Sequence, residues 1–183
     1  MRPVYCAISI ILFAQPACPD STVTIVLQFE HPYSELSIGE MKSVAQTLMN
    51  DSGVRLDWRR REELSSSESF PRLVVVSLRG YCEMNRLAQH LAREPVPLGY
   101  TYLTDGEPMP FSAIECDQIR SVLRAAPARY RGGNDELLFG GALGRVLAHE
   151  LSHAIGRTCE HTRTGFKRKS LSTTDLAMFP TVK

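Results

Sequence analysis

Apolar positions along the chain fall into short β-like runs separated by polar loops. Residues 21–30, 54–59, 72–80 and 98–104 are rich in β-branched and apolar residues or alternate apolar with polar ones, so they predict strands. The run 72–80 is the most apolar and is expected at the centre of a sheet. Asp105 and Gly106 predict a tight turn after the fourth run. Residues 111–124 then predict a strand followed by a turn of helix.

A first helix is predicted from apolar positions that recur at intervals of three and four, at Met41, Val44, Ala45 and Leu48. Ser37 and Glu40 have the spacing of a capping box, which places the start of the helix at Ser37. Gly53 is a residue that commonly ends a helix. We therefore expect one amphipathic helix between the first two strands.

A second, longer helix is predicted over residues 135–155. Asn134 or Asp135 can cap its start, and Gly156 can end it. Its apolar residues surround most of the helix, which indicates burial. Glycines lower its intrinsic helix propensity but allow another element to approach closely, at Gly140, Gly141 and Gly144.

The order of elements predicts an α+β fold, with one mixed twisted sheet and helices packed against it. Residues 83–93 could form either a short helix or an irregular segment. Residues 172–175 are expected to begin a short terminal helix. A length of 183 residues suits one domain, which we place at residues 18–183. The apolar run at residues 4–14 is too short to span a membrane, and no other stretch is long and apolar enough to do so.

Composition and net charge limit the classes of molecule that the protein is expected to bind. Hydrophobic residues make up 43% and charged residues 22% of the chain, which is typical of a globular protein. The formal net charge of +1 favours neither nucleic acid nor an anionic membrane as a partner. The basic clusters at 59–61 and 167–169 are short, so we interpret them as solvated surface.

The first 17 residues have the layout of a secretory signal peptide. Arg2 precedes an apolar run over residues 4–14, and Pro16 and small residues flank a cleavage position at Ala17. We therefore expect residues 1–17 to be removed and the protein to be secreted or periplasmic. Lipidation at Cys18 is the less favoured alternative, because Gln15 stands where such sites have an aliphatic residue. In an oxidising compartment Cys82 and Cys116, which both flank predicted strands, are expected to pair.

The second helix carries the sequence HELSH, from His149 to His153. Histidines four residues apart lie on one face of a helix, where their imidazoles can hold one Zn²⁺ ion. Glu150 lies between them, where it can act as general base towards a water activated by the metal. The competing interpretation is a pair of core or surface histidines without a metal.

This segment resembles the active-site helix of the zincin metallopeptidases, and HELSHAIG resembles the metzincin branch, in which a glycine follows at the position of Gly156. The resemblance implies a zincin-like fold and peptide hydrolysis with one Zn²⁺ per chain. It also implies that the strand at 98–104 lies at the sheet edge and pairs with an extended peptide or protein substrate. Met178 is a candidate for the methionine that lies beneath the metal in that family.

The third metal ligand is open between Cys159 and His161, and a distant glutamate, as in other zincins, is a weaker option because no acidic residue except Asp175 follows Glu160. Cys159 occupies the position of the metzincin third ligand, and His161 follows two residues later. We favour His161, because an imidazole keeps the metal more acidic than a thiolate, which also oxidises readily. Asp175 could orient a ligand histidine, although its interpretation as part of a terminal helix is simpler.

The sequence thus predicts a secreted zinc metallopeptidase with His149, His153 and His161 as ligands and Glu150 as catalytic base. No tyrosine follows Tyr130 to stabilise an oxyanion, so a zinc-binding interaction module that no longer cuts is the alternative. A disulfide-stabilised α+β domain without any metal is the third possibility.

Overall fold

A computed structural model describes residues 21–85, 97–127, 133–163 and 165–177. The strands are β1 (Ser21–Phe29), β2 (Val54–Arg60), β3 (Leu73–Arg79), β4 (Gly99–Thr104) and β5 (Glu107–Glu115). The helices are α1 (Glu35–Asn50), α2 (Cys116–Arg124), α3 (Asp135–Gly156) and α4 (Thr173–Ala177), with a 3-10 turn at Arg61–Glu63. The prediction of a mixed α+β fold is confirmed.

The five strands form one sheet in the order β2-β1-β3-β5-β4. Neighbouring strands are parallel except for β4, which pairs antiparallel with β5. The predicted central position of the third strand and the predicted edge position of the fourth are therefore confirmed. The predicted turn between β4 and β5 is also found: Asp105 and Gly106 have φ values of 53° and 81°, which suit a two-residue hairpin.

Helices α1 and α3 pack against each other and against the sheet, α1 over β2 and α3 over β4 and β5. The core between them is formed by apolar side chains of both layers, among them Ile25, Leu27, Met41, Leu78, Phe139, Leu143 and Leu147. Burial of this apolar area is the main favourable contribution to folding. The packing of α3 against α1 and the sheet fixes the orientation of this helix. The face of α3 that carries the histidine motif points away from α1.

Helix α1 begins earlier than the sequence pattern predicted. Ser34, not Ser37, is its N-cap, and the Ser34 side chain accepts a hydrogen bond from the Ser37 amide at 3.3 Å. Ser37 is buried within the first turn, where its hydroxyl donates to the Glu136 carbonyl at 2.9 Å. The capping-box prediction was wrong because the serine at 37 serves a tertiary contact with α3. Gly53 lies beyond the helix end, in a left-handed conformation just before β2.

Two of the three glycines of α3 lie directly against α1. A β-carbon at Gly140 would collide with the Ser37 carbonyl oxygen, and one at Gly144 would lie 2.7 Å from the Met41 carbonyl oxygen. Gly141 differs, because a β-carbon there would meet only the flexible end of Arg145, at 3.1 Å. The predicted close approach is thus confirmed at Gly140 and Gly144, where the backbones of two helices touch.

We expect Gly144→Ala to destabilise the protein by about 1–3 kcal/mol, since the added methyl group meets backbone that cannot move aside. Gly141→Ala is the matched control on the same helix and should be neutral or stabilising by up to about 1 kcal/mol, because alanine favours helix. Thermal unfolding of the two variants measures this difference. Equal melting temperatures would contradict the close contact between α1 and α3.

The predicted disulfide between Cys82 and Cys116 is confirmed, and it joins the segment after β3 to the start of α2. Cys159 is a free and exposed cysteine. Within the described residues, no helix has the length and hydropathy needed to cross a bilayer. The predictions for the signal peptide at 1–17, for Cys18 and for Met178 lie outside the described residues, as does most of the segment 83–93.

Candidate metal and catalytic site

His149 and His153 lie one turn apart on α3, and both imidazole rings are held by backbone carbonyl groups. His149 Nδ1 lies 2.8 Å from the Phe166 carbonyl oxygen, and His153 Nδ1 lies 2.7 Å from the Thr158 carbonyl oxygen. A carbonyl oxygen only accepts hydrogen bonds, so each Nδ1 must carry the hydrogen. In the neutral rings, each Nε2 therefore keeps its lone pair.

The two Nε2 atoms face each other at 3.1 Å. Two lone pairs at this distance repel each other unless a proton or a cation lies between or beside them. Two ligands of a tetrahedral zinc ion, each about 2.0–2.1 Å from the metal, are separated by about 3.3 Å. The pair therefore has the tautomers and the spacing that a zinc site requires.

His161 approaches the same point from the loop that follows α3. Each of the three imidazoles offers one nitrogen, and these nitrogens lie within 4.8 Å of one another. The His161 ring centroid is 4.8 Å from that of His153 and 5.3 Å from that of His149. Its side chain is exposed, so it can rotate towards the other two. The structure thus brings together the three predicted ligand residues.

Cys159, the alternative third ligand, lies apart from this cluster. Its Sγ atom is 4.0 Å from the Gly106 carbonyl oxygen, in the turn between β4 and β5. Among the described residues, the grouping of potential ligand side chains contains the three histidines and no thiol. The geometry favours His161 over Cys159.

The residue that adopts the left-handed conformation at the end of α3 is Arg157 and not a glycine. Helix α3 ends at Gly156 as predicted, but the left-handed residue is Arg157, with φ 49° and ψ 43°. A β-carbon at Gly156 would meet only Thr158 Cγ2, at 3.4 Å, which is ordinary contact. The turn that returns His161 to the cluster therefore uses Arg157, and the sequence did not reveal this because arginine seldom adopts that conformation.

Glu150 is buried with 6% of its surface exposed, and it faces β4. Thr101 Oγ1 lies 2.8 Å from Glu150 Oε2 and 3.1 Å from the Glu150 carbonyl oxygen. Burial raises the pKa of the Glu150 carboxyl above its ordinary value, while the Thr101 hydrogen bond and the nearby His153 oppose this rise. A carboxylate with a raised pKa is a better proton acceptor, which suits a general base.

Thr101 is a residue of the site that sequence reasoning missed. It lies on β4 and also contacts Ser112 on the neighbouring strand, with the two hydroxyl oxygens 3.1 Å apart. A threonine in a strand has no signal that marks it as a partner of a distant glutamate. Tyr100 and Tyr102, its neighbours, instead contact each other, with ring centroids 5.3 Å apart.

Asp175 does not orient a histidine. Its carboxylate accepts hydrogen bonds from the Ser172 amide at 2.8 Å and from the Ser172 hydroxyl, and it forms an ion pair with Arg168. The Ser172 hydroxyl in turn accepts from the Asp175 amide, which is a capping box at the start of α4. The favoured interpretation, that residues 172–175 open a short terminal helix, is confirmed, and the carbonyl groups of Phe166 and Thr158 are the groups that hold the histidine rings.

The surroundings of His149 and His161 favour the neutral imidazole, which is the form that binds metals. Burial lowers the pKa of His149, and the neighbouring histidines add to this effect while the Phe166 carbonyl opposes it. Partial desolvation also lowers the pKa of His161, together with the charges of His153 and Lys169. A lower histidine pKa means that less free energy is needed to replace a proton by a metal ion.

Comparison of the chain with protein-family models, with curated proteins and with solved structures finds no match. The assignment of a function therefore rests on the geometry of this site.

Proposed function

We propose that the protein is a zincin-like peptidase that binds one Zn²⁺ through His149, His153 and His161. The observation that carries the proposal is the pair of Nε2 atoms 3.1 Å apart, with both Nδ1 atoms bound to carbonyl oxygens. A pair of core histidines without a metal would avoid two facing lone pairs. Three nitrogen ligands leave a fourth position open, as catalytic zinc sites do.

In the proposed hydrolysis, the metal, Glu150 and Thr101 have separate roles. Zinc, when bound, supplies a Lewis acid that makes a water more acidic and polarises the substrate carbonyl. Glu150 takes the proton from the attacking water and later passes it to the leaving amine. Thr101 holds Glu150 Oε2, which leaves the other carboxylate oxygen free to face the water. Burial around Glu150 limits competing bulk water.

Strand β4 is suited to hold an extended peptide. It lies at the edge of the sheet, and its Thr101 side chain contacts Glu150. A substrate that pairs with the free edge of β4 therefore runs past the catalytic carboxylate. The exposed Leu103, with 55% of its surface accessible, offers an apolar contact along the same strand. These features support a peptide or protein as substrate.

Export to an oxidising compartment is part of the proposal. The disulfide between Cys82 and Cys116 supports it, because such bonds persist mainly in secreted and periplasmic proteins. The expected signal peptide at residues 1–17 points in the same direction.

The function is tested by incubating the zinc-loaded protein with a mixed peptide library and identifying products by mass spectrometry. We expect cleavage that stops when a chelator removes the metal and resumes when Zn²⁺ is restored. Zinc binding without any cleavage would instead favour the alternative, a zinc-binding interaction module. This alternative is favoured by one feature of the sequence, in which no tyrosine that could stabilise an oxyanion follows Tyr130.

Thr101→Val is expected to lower kcat by about tenfold with little change in KM, because the Glu150 carboxylate loses the hydrogen bond that fixes its position. Thr104→Val, at the exposed end of the same strand, is the matched control and should leave kcat unchanged. Steady-state kinetics on a cleaved library peptide measures both. An unchanged kcat in Thr101→Val would show that Glu150 does not depend on this contact.

A further inference from the structure

A cavity of about 290 Å³ opens beside the site and shares two of its residues, His149 and Glu150. Its other walls come from the start of β4, at Leu98 and Gly99, and from the loop segment 168–171. Since the proposed ligand His149 and the proposed base Glu150 both line the cavity, a side chain in this cavity would lie next to the bond that is cut. The cavity is therefore placed to select substrates.

The cavity has apolar walls and a cationic rim. Leu98, Val146 and Leu171 supply apolar contacts, whereas Arg168 and Lys169 supply positive charge. Arg168 is balanced by its ion pair with Asp175. Among the described residues no carboxylate forms an ion pair with the exposed Lys169. Within the described part of the chain, Lys169 is thus a cation without an ion-pair partner at the mouth of the cavity.

The charge of the surrounding loops has the same sign. Residues 157–177 contain five cationic side chains, at Arg157, Arg163, Lys167, Arg168 and Lys169, and two anionic ones, at Glu160 and Asp175. Of these cations, Arg168 and Lys169 line the cavity, whereas the Lys167 ammonium lies near Ser52 and Arg157 lines a separate cavity. The two rim cations attract anionic ligands, whereas the carboxylate of Glu150, which also lines the cavity, is buried and accepts a hydrogen bond from Thr101.

We propose that this cavity receives an acidic side chain of the substrate, with Lys169 as its counter-charge. The inference rests on the peptidase function proposed above and names the substrate class of the same site. A carboxylate that leaves water loses hydration free energy, and an unpaired ammonium group compensates for this loss. The apolar walls receive the methylene groups of the same side chain.

The test compares peptides that differ by one isosteric change, glutamate against glutamine, at each position flanking the cleaved bond. At one position, the wild-type protein should cleave the glutamate peptide with a kcat/KM about tenfold higher. Lys169→Glu should abolish or reverse this preference. Lys167→Glu is the matched control, with the same charge change two residues away. Its ammonium group lies near Ser52 and outside the cavity, so the preference should remain.

Binding of the same peptides separates failure of this inference from failure of the peptidase function. Fluorescence anisotropy is measured with zinc-loaded Glu150→Gln, alone and combined with Lys169→Glu or Lys167→Glu. If peptides are cut but glutamate and glutamine are equivalent at every position, the acidic-pocket inference is wrong and the peptidase function stands. The inference is also wrong if Lys169→Glu weakens both peptides equally. If nothing is cut but glutamate peptides bind better through Lys169, the pocket is supported and the peptidase function is wrong.

Discussion

Glu150→Gln is expected to lower kcat by about 10²–10⁴-fold while the protein keeps its zinc. The amide has nearly the same shape as the carboxylate but cannot accept the proton of the attacking water. The Thr101 hydroxyl can still donate to the amide oxygen, so the side chain should stay in place. Removal of a buried carboxylate with a raised pKa should also leave the fold intact, since the charged form is the one that burial disfavours.

Glu160→Gln is the matched control for this variant. Glu160 lies ten residues further along, is exposed, and is near the same histidines in sequence. Its replacement should change neither cleavage nor zinc content. The measurement is the initial rate on a library peptide, with metal content determined on the same samples. If Glu150→Gln cuts as fast as the wild type, Glu150 is not the base and the proposed chemistry is wrong.

His153→Ala is expected to weaken zinc binding by more than about a hundredfold and to abolish cleavage. Loss of one of three ligands removes more binding free energy than the loss of a group that only orients a ligand, which typically costs 10–100-fold. His153 also accounts for two contacts of the cluster, to His149 and to the Thr158 carbonyl. The turn after α3 should therefore loosen as well.

Removal of His31 is the control for a general effect of losing a histidine. Its ring stacks on Tyr81, with centroids 4.4 Å apart, outside the histidine cluster. His31→Ala should keep full zinc affinity, measured by competition with a metal indicator. Circular dichroism distinguishes metal loss from unfolding. Equal zinc affinity in His153→Ala and the wild type would exclude His153 as a ligand.

Much of the fold was readable from the sequence because local patterns agreed with the tertiary structure. The alternation and β-branched runs gave the strands, and the apolar run of β3 indicated its central place. The HELSH spacing placed two histidines on one helix face, where the structure also has them. These features depend on residues close together in the chain, which is what a sequence pattern records.

The rest depends on contacts between distant segments. Ser37 has a capping spacing, yet it is used to bind Glu136 of α3. The histidines are oriented by the carbonyl groups of Phe166 and Thr158, and a backbone carbonyl has no signature in the sequence. Thr101 meets Glu150 only because β4 lies at the sheet edge beside α3. Contacts that orient the metal-binding and catalytic side chains are determined by tertiary packing and not by local propensity.

The most direct measurement is the zinc content of the purified protein beside the variants His161→Ala and Cys159→Ala. We expect about one zinc per chain in the wild type and in Cys159→Ala, and a marked loss in His161→Ala. The Cys159 thiol lies against the Gly106 carbonyl, so its removal should leave the histidine cluster unchanged. A wild-type protein that carries no zinc after refolding with the metal would contradict the proposed three-histidine zinc site, as would loss of zinc only in Cys159→Ala.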